Sequence, residues 1–474
     1  MVHEVIAARP RSPRERGWLS WPARVADSAR HGPLAVRNFR LLSVGLSTST
    51  VGDYCYAVAL PWLILSGHGG TVLLGTVLAC YGIPRTILIP LGGVLADKLG
   101  PRTVMLAADT CRCALMCLLA VLAAERTDPL VALAPIAALL GAGEGMFLPA
   151  SFSIMPTLLP AEQLATGNAF STALMQIGSL TGPVLGGLLV APAGPSPAFA
   201  VDAATFGASA AALALIRVER ERPTGGERTV PEPTVPEPTV PAAPTPEPSG
   251  PELGGPELGG PELGGLEFGG LEFGEQDRGP STWQLLRRSR LLRIILAVAV
   301  AANVTAGGTF EVAMPALAHA RYGASGFGTL LASFGAGAVI GTLIGSRMGA
   351  LRRPAIVACS GFVVEGAALC LLPLSGGLAG AASALMVAGV CNGFGNIVLF
   401  TLIQQRAPAQ SLGRVMSLLM VAGVGSFPVS VGMAGWLVRH LHATAFFPLA
   451  GVALGLAVLA ALCRREMREF GPIR

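Results

Sequence analysis

The chain is poor in charge and in histidine: Asp, Glu, Lys and Arg make up 13% of its 474 residues, and there are 6 histidines. So thin a charged complement excludes an ordinary soluble domain, in which about a quarter of residues are charged. The histidines (His3, His31, His68, His319, His440, His442) all fall in tails, loops or the ends of apolar runs. No HExxH, GxSxG, DDxxD or Walker-type Gly-rich lysine sequence is present. Neither metal-dependent hydrolysis nor ATP-driven pumping therefore has visible parts, and the chain reads as a non-enzyme without cofactor or metal. The 9 cysteines make no paired CxxC units and are expected to pack as small apolar residues, not as disulfides or metal ligands. Residues 1–40 hold eight arginines and no apolar run of signal-peptide length. The apolar segments that follow are therefore expected to stay in the mature protein.

What the chain has in excess is apolar length. Hydrophobic residues make up 52% of it and mean hydropathy is +0.61. A bilayer core of about 30 Å takes roughly 20 apolar residues per helix. Segments of that size lie at 41–65, 72–96, 103–124, 130–150, 164–190 and 198–216, and again at 294–318, 327–350, 355–374, 378–400, 412–438 and 443–463. Six plus six spans put both termini on one side of a membrane. With that side cytoplasmic, 28 of the 33 Lys and Arg lie inside, only Arg126, Arg321 and Arg439 lie outside, and Arg85 and Arg112 fall within spans. Positive charge is retained on the cytoplasmic face during insertion, so a multi-pass protein with both termini inside is expected. The net charge of +5 follows from this topology and implies no nucleic-acid partner.

Between the two sets of spans, residues 223–280 repeat TVPEP, PELGG and LEFGG units and carry eleven acids against Arg228 and Arg278. Such a composition buries too little apolar surface to offset ordering entropy, so a disordered acidic linker is expected. The chain divides accordingly into an arginine-rich tail (1–37), a six-helix bundle (38–222), the linker (223–280), a second six-helix bundle (281–464) and a short tail (465–474).

The second half repeats the first. Val58-Ala59-Leu60-Pro61 parallels Val312-Ala313-Met314-Pro315, GTVLACYG at 75–82 parallels GTLLASFG at 328–335, and Cys117-Leu118-Leu119 parallels Cys370-Leu371-Leu372. Arg112 falls opposite Glu365; Gly141, Glu144 and Gly145 fall opposite Gly389, Asn392 and Gly393; Gly187 falls opposite Gly435. Order is kept across all six helix pairs, as expected of two parallel halves that rock about a central site.

The stretch Gly93-Val94-Leu95-Ala96-Asp97-Lys98-Leu99-Gly100-Pro101-Arg102 resembles the GxLaDrxGrk motif of the major facilitator superfamily, with proline where a basic residue is usual at 101. In the fifth span, Gly178, Gly182, Pro183, Gly186 and Gly187 are spaced as in GxxxGPxxGG, a motif associated with antiporters of that superfamily. Ala137 stands where many drug/proton antiporters carry an arginine. Arg37-Asn38-Phe39-Arg40, Gly52-Asp53, Ala59-Leu60-Pro61-Trp62, Asp109-xx-Arg112 and Asp202-Ala-Ala-Thr-Phe206 resemble the enterobactin-exporter and macrolide-efflux branch. The resemblance implies an all-α membrane fold of 12 helices in two pseudo-symmetric bundles. It further implies a monomeric secondary transporter in the cell membrane, exporting amphipathic small molecules by alternating access with protons as partner. An importer or uniporter on the same fold, and a membrane receptor or scaffold that does not transport, are the alternatives.

Ionisable residues deep in a span are costly and are functional candidates for that reason. Asp53 lies 13 residues past Arg40 and Arg85 lies 12 before Asp97. At about 1.5 Å per residue both are roughly 18–20 Å from the same edge, so Asp53 and Arg85 are a candidate pair. It reads either as a proton-carrying site or as a permanent structural ion pair. Glu144 is at a depth to meet Asp109 and Arg112. By the resemblance, the first, fourth, seventh and tenth helices line the cavity, which places Glu144, Glu311 and Asn392 there. Asp109, Arg112 and Glu365 belong to more peripheral helices and read as structural. Asp97, with Lys98 and Arg102 beside it, is expected to face the N-terminus of the helix beginning near Leu412, a latch of the outward-open state by resemblance. Gln176, Asn303 and Asn396 can offer hydrogen bonds, and Trp62, Phe147, Phe310, Phe334 and Phe394 an apolar wall.

Overall fold

The computed structural model describes residues 32–67, 69–125, 130–216, 287, 289–347, 353–406 and 409–468. The acidic linker and the first 31 residues lie outside these. Twelve long helices follow one another: α1 (Arg37–Ser66), α2 (Gly70–Leu99), α3 (Pro101–Ala124), α4 (Leu130–Leu158), α5 (Ala161–Ala193), α6 (Ser196–Leu215), α7 (Arg290–Arg321), α8 (Gly323–Arg347), α9 (Pro354–Leu371), α10 (Leu378–Arg406), α11 (Ala409–Leu441) and α12 (Ala443–Leu462). A one-turn helix, α13 (Arg465–Arg468), closes the described chain.

Eleven of the twelve are long and apolar enough to cross a membrane. The exception is α1, which matches the others in length but carries Ser43, Ser47, Thr48, Ser49, Thr50 and Asp53 in its middle. The helices overrun the expected spans by a few residues, as α7 does at both ends of 294–318, because helical hydrogen bonding continues beyond the apolar stretch. The nine cysteines are free.

The repeat in the sequence is a repeat in packing. In the first half α1 lies against α5 and α6, α2 against α4, and α3 against α4 and α6. In the second half α7 lies against α11 and α12, α8 against α10, and α9 against α10 and α12. Between the halves α2 crosses α11 and, symmetrically, α5 crosses α8. The closest crossings use matched glycines. A Cβ on Gly141 would overlap the Tyr81 carbonyl, and one on its counterpart Gly389 would overlap the carbonyl of Phe334, the counterpart of Tyr81. Backbones in lipid approach this closely only where side chains are minimal.

The halves meet toward one end. The Trp62 and His319 rings meet at 4.8 Å, tilted by 56°, Ser66 Oγ lies 3.2 Å from His319 Nε2, and Thr71 donates to the Gly435 carbonyl at 3.1 Å. Gly187 presses on Ala324 and Ser325, and Gly328 on Pro183. Among the described residues the hydrogen-bonded and glycine contacts between these helices run no further toward the end that carries the termini than Thr86 with Val424 and Gly335 with Leu180, and beyond them Leu91 and Val94 of α2, Ile344 of α8 and Val421 of α11 are exposed. The cleft between the halves therefore opens on the terminal side.

Substituting Gly141→Ala or Gly389→Ala is expected to destabilise the protein by about 1–3 kcal/mol through overpacking. Gly93→Ala, whose Cβ would meet nothing within 4 Å, is expected to leave stability unchanged or raised. Thermal unfolding of the detergent-solubilised protein checks the contrast.

Candidate functional site

A cavity of about 300 Å³ lies between the halves. From the first half it is lined by Asp53 and Tyr54 of α1, Tyr81 and Arg85 of α2 and Glu144 of α4; from the second half by Glu311 of α7 and Phe427 of α11. Glu311 is delivered by a π-helical turn, Thr309–Ala313, inside α7. Such turns are costly and recur at functional positions. Three carboxyl groups thus face the cavity with one guanidinium among them. Arg85 Nη2 holds Glu144 Oε1 at 2.9 Å, and its Nε, buried, has no hydrogen-bond partner among the described residues.

Behind Asp53 stands a second arginine. Arg112 Nη2 donates to Asp53 Oδ1 at 3.1 Å and Nη1 to Asp109 Oδ1 at 3.4 Å. Asp109 also accepts from Ser209 Oγ at 2.6 Å. The guanidinium lies over the Phe206 ring, 4.1 Å from its centroid, with Phe147 at 5.4 Å. Arg112 and Asp109 are buried, but the Asp53 side chain is 46% exposed. Asp53 therefore spans from a buried cation to the open cavity. Asp202 of α6 is fully buried against Gly52, one of its oxygens bonded to Thr205 at 3.4 Å and the other without a partner among the described residues.

This arrangement corrects the pairings expected from depth. Asp53 pairs with Arg112, not Arg85, and Glu144 pairs with Arg85, not with Asp109 or Arg112. Depth along consecutive helices fixes height but not the face. Because α2 packs on α4 while α1 packs on α5 and α6, Arg85 meets Glu144 and Asp53 turns toward the α3–α6 side. Asp109 and Arg112 do touch, at 3.4 Å, but as part of a chain that ends at the cavity. Asn392 turns away from the central cavity: its Nδ2 donates to both oxygens of buried Glu365, at 3.1 and 3.2 Å.

The stretches that carry the family resemblance have distinct surroundings. Gly100, at φ 85°, takes a backbone conformation that favours glycine, and Pro101 follows as the first residue of α3. Proline there costs no hydrogen bond and is preset for a helix start. Arg102 donates to the Leu213 and Ala214 carbonyls, both at 2.8 Å, and so closes the C-terminal end of α6. Asp97 and Lys98 are exposed, and Asp97 has no bonded partner among the described residues. The side chains of residues 406–414, toward which it was expected to point, lie outside the described set. In α5, Gly178, Gly182 and Gly186 face Thr50, Val51 and Cys55 of α1, while Pro183 and Gly187 face α8. One short segment thus touches the helix bearing Asp53 and the opposite half.

Residues 42–430 match the Major Facilitator Superfamily. The chain belongs to that superfamily. It is 25% identical over 424 residues to an uncharacterized MFS-type transporter, y4rN, of Sinorhizobium fredii, covering 89% of this chain and 93% of that protein. It is 30% identical over 199 residues to the multidrug efflux pump Tap of Mycolicibacterium fortuitum, covering 40% of this chain and 47% of that one. In fold it is similar to a POT family transporter crystallised with 5-aminolevulinic acid (TM-score 0.64, 11% identity, 90% and 96% covered). It is likewise similar to the nucleoside transporter NupG (TM-score 0.61, 12% identity, 89% and 99% covered). The protein is thus a multi-pass membrane transporter and not an enzyme.

Three features around this superfamily member's candidate site were not singled out from sequence: the Asp53–Arg112 contact, buried Asp202 and, away from the central cavity, the hydrogen bonds joining Glu365, Asn392 and Asn396. A signal existed for the second, since Gly52 and Asp202 both stood in the stretches that resembled the efflux branch.

Arg112→Gln is expected to destabilise by about 3–5 kcal/mol, because it strands a fully buried carboxylate. Arg85→Gln, at the edge of the open cavity, is expected to cost less. Adding Asp53→Asn and Asp109→Asn to Arg112→Gln should recover part of the loss, and melting temperatures of the four proteins in one detergent test this order.

Proposed function

We propose that the protein is a proton-coupled exporter of amphipathic small molecules in a bacterial cytoplasmic membrane, with both termini inside. The observation that carries this reading is Asp53, whose carboxylate is half exposed to the central cavity while its guanidinium partner is buried behind it. Water in the cavity can bring a proton to Asp53 or remove one without exposing Arg112. Glu144 with Arg85, and Glu311 across the cleft, make the rest of the polar wall, and Tyr54, Tyr56, Tyr81 and Phe427 give it apolar surface for an amphipathic body. The similarity to Tap, named a multidrug efflux pump, favours export, as does the run of small residues at 178–187.

With the termini cytoplasmic, the cleft described above is the inward-open state. In it Asp53 releases its proton to the cytoplasm and substrate enters. Closure of the terminal side brings Asp97 toward the start of α11, and α5 slides on α1 and α8 through Gly182, Pro183 and Gly187. In the outward-open state substrate leaves and Asp53 takes a proton. Protonation removes one of the two charges that hold Arg112, which leaves Asp109 as its counter-ion. Each proton returning across 100 mV supplies about 2.3 kcal/mol, enough to hold a neutral substrate at roughly a 50-fold gradient.

In inside-out vesicles with an imposed pH gradient, a panel of hydrophobic drugs and siderophores is expected to include compounds that dissipate the gradient with wild type and not with Asp53→Asn. Substrate counterflow persisting in both proteins while no compound moves protons would overturn the coupling and favour an importer or uniporter.

A further inference from the structure

The first turns of α7 set Arg290, Arg293, Ile294 and Ala297 on one face, at spacings of three and four residues. The core takes the positions between them, Leu292, Ile295 and Val298. With Arg464 and Glu466, from the corner between α12 and α13, these four residues line a groove of about 510 Å³. Arg293 and Arg464 are exposed and pair with no carboxylate among the described residues. Arg290 approaches Glu466 only at 4.0 Å, with the two side chains 80% and 39% exposed, a contact that contributes little. Three guanidiniums thus share the groove with one carboxylate, and positive charge is left over.

The groove is polar at one end only. Beside the arginines its wall is Ile294 and Ala297, and the same face of α7 goes on to exposed Val300. The arginines stand at the end of a span, where the apolar stretch gives way to water. A ligand that satisfies both parts carries anionic oxygens at the level of the arginines and an apolar chain along α7. Guanidiniums hold phosphate oxygens through paired N–H donors. A free anion leaves Ile294 and Ala297 uncovered, and a hydrocarbon chain alone leaves the charge unanswered. The sequence repeat carries the same pattern: Arg37, Arg40, Leu41 and Val44 of α1 correspond to Arg290, Arg293, Ile294 and Ala297. Arg217, the counterpart of Arg464, lies outside the described residues. The pattern at the membrane edge is kept even though the buried charges differ between the halves, as Arg112 does from Glu365 and Glu144 from Asn392.

We propose that this groove binds an anionic glycerophospholipid of the surrounding bilayer, its phosphate held by Arg290, Arg293 and Arg464 and an acyl chain laid on Ile294, Ala297 and Val300. The phosphate then bridges α7, which carries Glu311 to the central cavity, to the corner of α12 and α13. Only the assignment of this lipid to the cytoplasmic leaflet rests on the orientation proposed above. The binding needs neither that orientation nor export, so either reading can fail alone.

Phosphatidylglycerol and phosphatidylcholine with the same acyl chains are titrated onto the purified full chain in a nonionic detergent, and bound lipids are counted by native mass spectrometry. Wild type is expected to retain phosphatidylglycerol at concentrations at which phosphatidylcholine does not bind. Arg293→Gln with Arg464→Gln is expected to remove one tightly bound phosphatidylglycerol from the count, its affinity falling about 30-fold, or about fivefold for each arginine near an anionic group. Arg347→Gln with Arg353→Gln removes as much charge from the same end of the protein, at the close of α8 and just before α9. It is expected to keep the count, with affinity within about twofold of wild type. Ala297→Trp, at an exposed position, fills the apolar part of the groove and leaves every arginine in place. It is expected to lower the same count, and it keeps the question answerable should the first pair fail to fold. The proposal is overturned if wild type does not prefer phosphatidylglycerol or if the count survives in the Arg293 and Arg464 pair. Equal loss in the Arg347 and Arg353 pair would mean a diffuse positive surface, and displacement of the lipid by excess sodium phosphate would mean a site for a free anion. Either result also overturns it.

Discussion

A guanidinium held in the apolar interior of a helix bundle needs both counter-charge and a surface for its faces, and much of the first half is arranged around that need at Arg112. Asp53 and Asp109 bond its nitrogens from α1 and α3, and Phe206 and Phe147 lie against its plane from α6 and α4. Four helices thus converge on one side chain. The glycine at 52 follows from the same convergence, because α6 brings Asp202 and Thr205 hard against α1 at that residue. A buried cation with an excess of carboxylates around it is stable only while the protons among those carboxylates are distributed to match, which ties the packing of the half to its state of charge.

The second half uses the same backbone plan with different chemistry. Gly389 and Gly393 approach Phe334 and Ala338 as Gly141 and Gly145 approach Tyr81 and Arg85, so helix crossings are kept to the residue. Yet Arg112 is answered by Glu365 and Glu144 by Asn392. The repeat preserves the positions where backbones must touch and lets the polar cargo of each half diverge. One half then presents a solvated ion-pair network to the cleft, and the other an amide chain with an acid at its root.

The twelve long helices and their two-fold order were legible because both signals are summed over many residues: hydropathy over some 20 positions per helix, and the repeat over six helices in sequence. Gly100-Pro101 was legible as a departure but not as a helix start, since φ at Gly100 is a property of the folded chain. The pairings at the site were less accessible. Asp53, Arg85, Glu144, Asp109 and Arg112 all stood out as buried charges. Height along the membrane, however, is a one-dimensional coordinate, and partner choice depends on the angle at which α1 and α2 present their faces. Knowing that α2 rests on α4 decides Arg85 for Glu144, and no local pattern in α2 says so. Glu365 was seen as peripheral for a related reason: helix-by-helix rules describe which element borders the cleft, not which amides connect an outer helix to an inner one.

The seam that closes the end opposite the termini sets Trp62 and Ser66 against His319, a threonine hydroxyl on a carbonyl at Thr71, and glycine backbone against glycine backbone at Gly75 and Gly435. Contacts of this kind are short in range and carry little net charge, so parting them releases no ions to be solvated. Among the described residues no ion pair crosses this seam, so salt in the surrounding medium has little there to screen.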